Sequence, residues 1–178
     1  KTLGVIGTGK IGRNVIRIAR CFRMNVIAYD KCPDKAFAAK AGFEYVPFAK
    51  LLSSSDIITL HVPFAKDTKH MINNGNVSRI KKGALLVNTA RGGIVETNAL
   101  IKALKQGILA GAALDVLEEE CEMKEEAELL TTDFANRCNL KTLLEQHILL
   151  DMDNVIITPH NAFNSKEALR RIVDTTAE

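Results

Sequence analysis

The sequence predicts an α/β protein built on a doubly wound parallel sheet, and three observations carry that expectation. Apolar runs of strand length alternate with helical stretches along nearly the whole chain. Those runs are apolar at consecutive positions, and a glycine-rich turn joins the first run to the first helix. Consecutive apolar positions mark strands covered on both faces. Strand–helix–strand repetition implies right-handed crossovers into a parallel sheet with helices on both sides.

Taken in order, Leu3–Ile6 is the first strand, and the helix Ile11–Cys21 follows with Ile11, Val15, Ile18 and Ala19 on one face. Val26–Tyr29 is the second strand, Lys35–Ala41 an Ala- and Lys-rich helix, Phe43–Val46 a short strand and Phe48–Ser53 one or two helical turns. Ile57–Val62, Ala84–Thr89, Ala110–Val116 and Val155–Thr158 complete the strands. Helix is expected over Asn74–Ile80 and Thr97–Lys105, with more within 121–150. Asn164 and Glu167 stand at capping-box spacing, so a last helix is expected to start there. The acidic stretch 118–128 and the mixed residues up to about 150 read as a partly helical insertion between two strands.

Composition narrows the class. The chain has 178 residues, 47% hydrophobic and 25% charged, as a globular domain does. Twenty-four Lys and Arg against 21 Asp and Glu leave a net charge of +3, too weak a field to imply nucleic acid or a membrane surface. No apolar run approaches the roughly 18 residues of a spanning helix, and no signal peptide opens the sequence. The cysteines at 21, 32, 121 and 138 form no CxxC pair and no metal-ligand spacing, so reduced thiols, no metal and a cytoplasmic setting are expected. Lys1 is not an initiator Met and a strand begins within three residues of it, so 1–178 reads as one domain of a longer protein.

Gly7-Thr8-Gly9-Lys10-Ile11-Gly12 lies between the first strand and the first helix. In that context Gly7 permits a tight turn, Gly9 lets backbone approach a diphosphate, and Gly12 allows close helix–strand packing. The helix N-terminus offers unpaired N–H groups to the phosphates. Asp30 follows the second strand at the distance where a carboxylate meets the adenosine ribose hydroxyls, which favours NAD over NADP, with Lys31 adjacent. This is the pattern of a Rossmann dinucleotide-binding domain.

Four later motifs follow in order: His61-Val62-Pro63, Asn88-Thr89-Ala90-Arg91-Gly92-Gly93, Gly111-Ala112-Ala113-Leu114-Asp115-Val116 and Thr158-Pro159-His160-Asn161-Ala162. Together they resemble the cofactor domain of the D-isomer-specific 2-hydroxyacid dehydrogenases over the whole chain except about 121–150. Read physically, Arg91 leaves the carboxyl end of a strand, where its planar fork suits a substrate carboxylate. His160 stands at another such end and can exchange a proton near neutral pH. Spacing alone leaves Glu118, Glu119 and Glu120 equally eligible to support that histidine. The resemblance selects Glu120, five residues beyond Asp115.

The resemblance also implies cofactor contacts. Lys10 and Ile11 would offer backbone groups to the diphosphate; Val62, Pro63 and Thr68 would line the adenosine side. Thr89, Ala90 and Arg91 would run along the nicotinamide half, and Asp115 would accept from the carboxamide. His61, His70 and His147 are read as packing or surface residues. The implied protein is an NAD-dependent oxidoreductase acting on a 2-hydroxy or 2-keto acid, leaning to a lactate-type substrate and pairing as a homodimer, with its substrate domain outside this chain. Cys121 stands where the family commonly has Pro. The alternative is an NAD(H)-sensing protein of co-repressor type on the same scaffold.

Overall fold

The computed structural model describes residues 1–118, 140–162 and 165–176. Among the described residues seven strands form one parallel sheet: β1 (Thr2–Ile6), β2 (Asn25–Tyr29), β3 (Glu44–Tyr45), β4 (Ile57–Leu60), β5 (Ala84–Asn88), β6 (Leu109–Leu114) and β7 (Val155–Ile157). Their order is β3-β2-β1-β4-β5-β6-β7, with every pair parallel. The direction of winding reverses between β1 and β4, and ligands bind at the carboxyl edge of such sheets, at that crevice.

Alternation along β1 sorts the two cores. Leu3 and Val5 face a cluster with Ile16 and Ala19 of α1 (Lys10–Cys21) and Phe37 of α2 (Lys35–Ala41). Ile6 faces the opposite cluster, which gathers Leu51 and Leu52 of α3 (Phe48–Ser54) and the apolar side of α4 (Thr97–Lys105). Leu149 of α5 (Leu140–Leu150) joins that second cluster and is 1% exposed. α5 therefore belongs to the helical crossover that a parallel β6–β7 pairing requires. Residues 121–139 of the expected insertion lie outside the described residues.

Two expectations need correcting. The inward face of α1 is Gly12, Ile16 and Ala19, while Ile11 and Ile18 are 64% and 57% exposed and Val15 is partly buried. The buried stripe relies on a glycine and an alanine, which let the helix approach the sheet and carry little hydrophobic signal. The span 74–80 is not an α-helix but a 3₁₀ turn, Val77–Arg79. Asn side chains compete for its backbone: Asn76 Oδ1 accepts from Asn73 N at 3.0 Å, Asn76 Nδ2 donates to Met71 O at 2.9 Å, and Asn73 Oδ1 accepts from Gly75 N at 2.8 Å. The last helix, α6 (Lys166–Thr176), is capped by Ser165, whose Oγ accepts from Ala168 N at 3.1 Å. Asn164 lies outside the described residues.

Candidate active site

The glycine turn lies at the carboxyl end of β1, beside the crevice. Gly7 adopts φ +93°, and a Cβ on Gly12 would lie 2.0 Å from the Gly7 carbonyl oxygen, so α1 can start this close to β1 only with glycine there. A Cβ on Gly9 would meet nothing within 4 Å, which leaves its surface open to a ligand. α1 has no side-chain cap and no acidic residue in its first turn. Its first N–H groups and partial positive charge are thus available to an anion, as a dinucleotide diphosphate requires.

Asp30 is held by donors on both carboxylate oxygens. Oδ2 accepts from Thr8 N at 2.6 Å and Thr8 Oγ1 at 2.8 Å, and Oδ1 accepts from Cys32 N at 2.9 Å. Thr8 spends its one hydroxyl proton on Asp30, so the Tyr45 hydroxyl, 2.8 Å from Thr8 Oγ1, must be the donor in that contact. Burial pushes the Asp30 carboxyl up, but the bonds from Cys32 and Thr8 and the nearby Arg13 charge outweigh it and hold it below the ordinary value. An ionised carboxylate with about four acceptor directions keeps capacity for a ribose hydroxyl.

A cavity of about 640 Å³ runs from this turn across the sheet edge. Gly9, Lys10 and Ile11 line one end, residues 61–64 after β4 the middle, and Thr89, Ala90 and Arg91 after β5 the far end. Phe64 and Arg91 are shared with a second cavity of about 290 Å³ that reaches Gly93, Leu117 and Glu118. Thr68 is not part of either wall. It is buried, donating to Pro63 O at 2.6 Å and accepting from Ala65 N at 2.8 Å, and so shapes the turn that carries residues 62–64. His61 lines the cavity with Nε2 3.0 Å from Thr59 Oγ1, and burial pushes its ring below the ordinary histidine value.

The Arg91 loop is fixed through its backbone. Asn88, 1% exposed, accepts from Ala90 N at 3.1 Å through Oδ1 and donates from Nδ2 to Arg91 O at 3.0 Å. A Cβ on Gly92 would lie 1.7 Å from Leu117 O, so only glycine lets this loop touch the turn after β6. The Arg91 side chain is exposed, its Nη1 donating to Ala90 O at 2.6 Å.

His160 stands on the loop after β7 with φ +49°, a left-handed conformation that costs a non-glycine residue energy and that histidine tolerates better than most. Asp115 grips that loop: Thr158 Oγ1 donates to it, and Asn161 N and Ala162 N reach it at 2.9 Å each. Burial pushes the Asp115 carboxyl up, and these donors with the His160 charge bring it below the ordinary value. Its acceptor capacity is thus largely spent on holding His160 in place.

Glu118 is committed elsewhere. It accepts from Thr97 N at 2.9 Å and Thr97 Oγ1 at 2.8 Å, at the start of α4, and pairs with His70. Burial raises its carboxyl, and the Thr97 and His70 contacts more than reverse that. Glu119 and Glu120 lie outside the described residues. Asn88, Thr8, Tyr45 and the His70–Glu118 pair were not singled out by the sequence. Asn88 heads a quoted motif, whereas Tyr45 carries no local signal at all.

Comparison with known proteins agrees with this geometry. Residues 1–162 match the model of the D-isomer specific 2-hydroxyacid dehydrogenase NAD binding domain. A D-specific alpha-keto acid dehydrogenase of Enterococcus faecium is 44% identical over 177 residues, 98% of this chain and 50% of the relative. A glyoxylate reductase of Korarchaeum cryptofilum is 39% identical over 178 residues, 100% of this chain and 47% of the relative. The structure of a D-lactate dehydrogenase from Aquifex aeolicus, complexed with NAD and lactic acid, superposes with a TM-score of 0.84 at 40% identity, over 98% of this chain and 50% of that one. The chain spans about half the length of the relatives it matches.

Proposed function

Because the chain belongs to the D-isomer-specific 2-hydroxyacid dehydrogenase family and carries its NAD-binding domain, we propose that it is the cofactor half of a cytoplasmic enzyme interconverting a D-2-hydroxy acid and its 2-keto acid. One observation supports this most: Arg91 and His160 leave β5 and β7 on the same sheet edge, flanking β6, beside the cleft of the glycine turn.

The N–H groups of Lys10 and Ile11 and the Gly7–Gly12 turn hold the diphosphate, and Asp30 takes the adenosine ribose. Val62 and Pro63 cover the adenosine side, on a turn shaped by Thr68. Thr89, Ala90 and Arg91 border the nicotinamide half, and the acceptor direction left on Asp115 Oδ2 takes the carboxamide. NAD, when bound, supplies or takes up the hydride at the substrate 2-carbon. Arg91 binds the substrate carboxylate with its fork and polarises the neighbouring carbonyl. His160 gives a proton to the carbonyl oxygen and takes it back in the reverse direction, and Glu120 stabilises the imidazolium. Glu118 is spent on Thr97 and His70, which favours a later glutamate for that role.

Pyruvate and D-lactate are our first assignment of substrate, since the superposed Aquifex enzyme is complexed with lactic acid. The relatives named above are dehydrogenases and reductases, so the NAD(H)-sensing alternative gains no support from them. We also propose a homodimer that uses the outer face of α1 and the residue after it, where Ile18 and Phe22 are 57% and 77% exposed. Sedimentation of a Phe22→Ser variant checks it, a monomer being expected. The activity is tested by NADH oxidation with pyruvate, glyoxylate and branched 2-keto acids, followed by chiral analysis of the product. A D-2-hydroxy acid is expected; an L-product, or no turnover of any 2-keto acid by the protein at its natural length, overturns the reading.

A further inference from the structure

Asp30 is flanked by two cations, and each is matched to a carboxylate of its own. Arg13 donates from Nη2 to Asp34 at 2.9 Å and from Nε to the Thr8 carbonyl at 3.1 Å. Lys31, directly after Asp30, pairs with Asp67. This second pair joins distant parts of the fold. Lys31 follows β2 and Asp67 belongs to the turn after β4, while β1 lies between those strands. With neighbouring strands about 4.8 Å apart, the pair spans roughly 10 Å across the carboxyl edge of β1. The glycine turn opens at that edge, so the bridge runs beside the ribose site that Asp30 defines.

An unpaired lysine there would work against Asp30. A 2′-hydroxyl donates to the carboxylate, whereas a 2′-phosphate is repelled by it and attracted by any cation within reach. The Lys31 ammonium, on a flexible four-carbon stem, can reach such a phosphate. The turn that carries Asp67 reads Pro63-Phe64-Ala65-Lys66-Asp67-Thr68-Lys69-His70, and Asp67 is its one carboxylate.

We propose that Asp67 is a cofactor-selectivity residue that acts through Lys31. By holding the ammonium toward the β4 side and neutralising it, Asp67 leaves the Asp30 carboxylate to dominate the ribose site and disfavours 2′-phosphorylated dinucleotides. Asp67 touches no cofactor atom; it is a positioning residue. Both partners are well exposed, with side chains 60% and 48% accessible, so the effect is modest and sensitive to salt.

The test is direct binding, measured by nicotinamide fluorescence on the protein at its natural length, with NADH and NADPH titrated at low and high ionic strength. Asp67→Asn is expected to tighten NADPH by about three- to tenfold at low salt while NADH moves by less than about twofold. High salt should erase the gain, and Asp67→Asn combined with Lys31→Ala should return NADPH affinity to the wild-type value. An unchanged NADPH-to-NADH ratio in Asp67→Asn overturns the proposal. So does a gain that survives Lys31→Ala, since Lys66 or Lys69 would then be its source. Loss of NADH binding in Asp67→Asn overturns it too, because Asp67 would then be shaping the cleft.

Discussion

The two ends of the sheet's carboxyl edge are prepared in different ways. Over β3, β2 and β1 the side chains themselves are locked: Tyr45 donates to Thr8, Thr8 to Asp30, and Cys32 to the other Asp30 oxygen. Over β5, β6 and β7 it is the backbone that is locked. Asn88 and Gly92 fix the Arg91 loop and Asp115 fixes the His160 loop, while the side chains of Arg91 and His160 are exposed. The difference separates two tasks. A dinucleotide can be recognised by groups already in place, so its affinity belongs to this domain. On the proposed reading, Arg91 and His160 are presented to the substrate on set loops and gain electrostatic strength when water is shut out. The chain spans about half the length of the relatives it matches.

That contrast can be broken at several points. The largest effect is expected at the reaction end: His160→Gln should lower kcat by about 10²–10⁴-fold, with NADH affinity nearly unchanged in fluorescence titration. Arg91→Lys keeps the charge and loses the fork, and should cost about a hundredfold in kcat/KM. Equal losses in NADH affinity from either change would mean that the two ends are one unit.

Two glycines sharpen the point. Gly92→Ala puts a Cβ against the Leu117 carbonyl, and should lower stability by about 1–3 kcal/mol in denaturant unfolding. Gly9→Ala meets nothing in the protein, so its stability should hold while NADH affinity falls. The smallest effect concerns pH. Lys81, with Thr2 N, holds the half-buried Asp56 carboxyl at about 2, below its unfolded value of 3.8. Its contribution is therefore fully present above pH 4 and is lost as pH falls toward 2. Asp56→Asn should flatten that part of an acid-unfolding curve.

The central strands were legible in the sequence because strands covered on both faces are written as apolar runs, whereas the edge strands β3 and β7 are short and partly exposed and were read from the brief runs Phe43–Val46 and Val155–Thr158. That the glycine turn, Asp30, Arg91 and His160 stand at the carboxyl ends of strands was legible, because each follows an apolar run in the sequence. The inward face of α1 was not, since Ile11, Val15 and Ile18 make as good a stripe as Gly12, Ile16 and Ala19 and only the close approach to β1 decides between them. Nor were the groups that hold the site still. Tyr45 meets Thr8 across 37 positions and Glu118 meets His70 across 48, contacts that exist only once the sheet is assembled.

The central place of β1 bears on how the chain acquires its shape. Leu3 pairs with Val26 on one side and with Ile57 on the other, so the first strand made has no second neighbour until β4 has been synthesised. Until then its apolar residues are an open edge, exposed to aggregation and to chaperone capture. Parallel pairing of such distant segments is slow. In pulsed hydrogen exchange during refolding, the amides of β1 and β4 should gain protection together and late, and the cofactor cleft cannot exist before that moment.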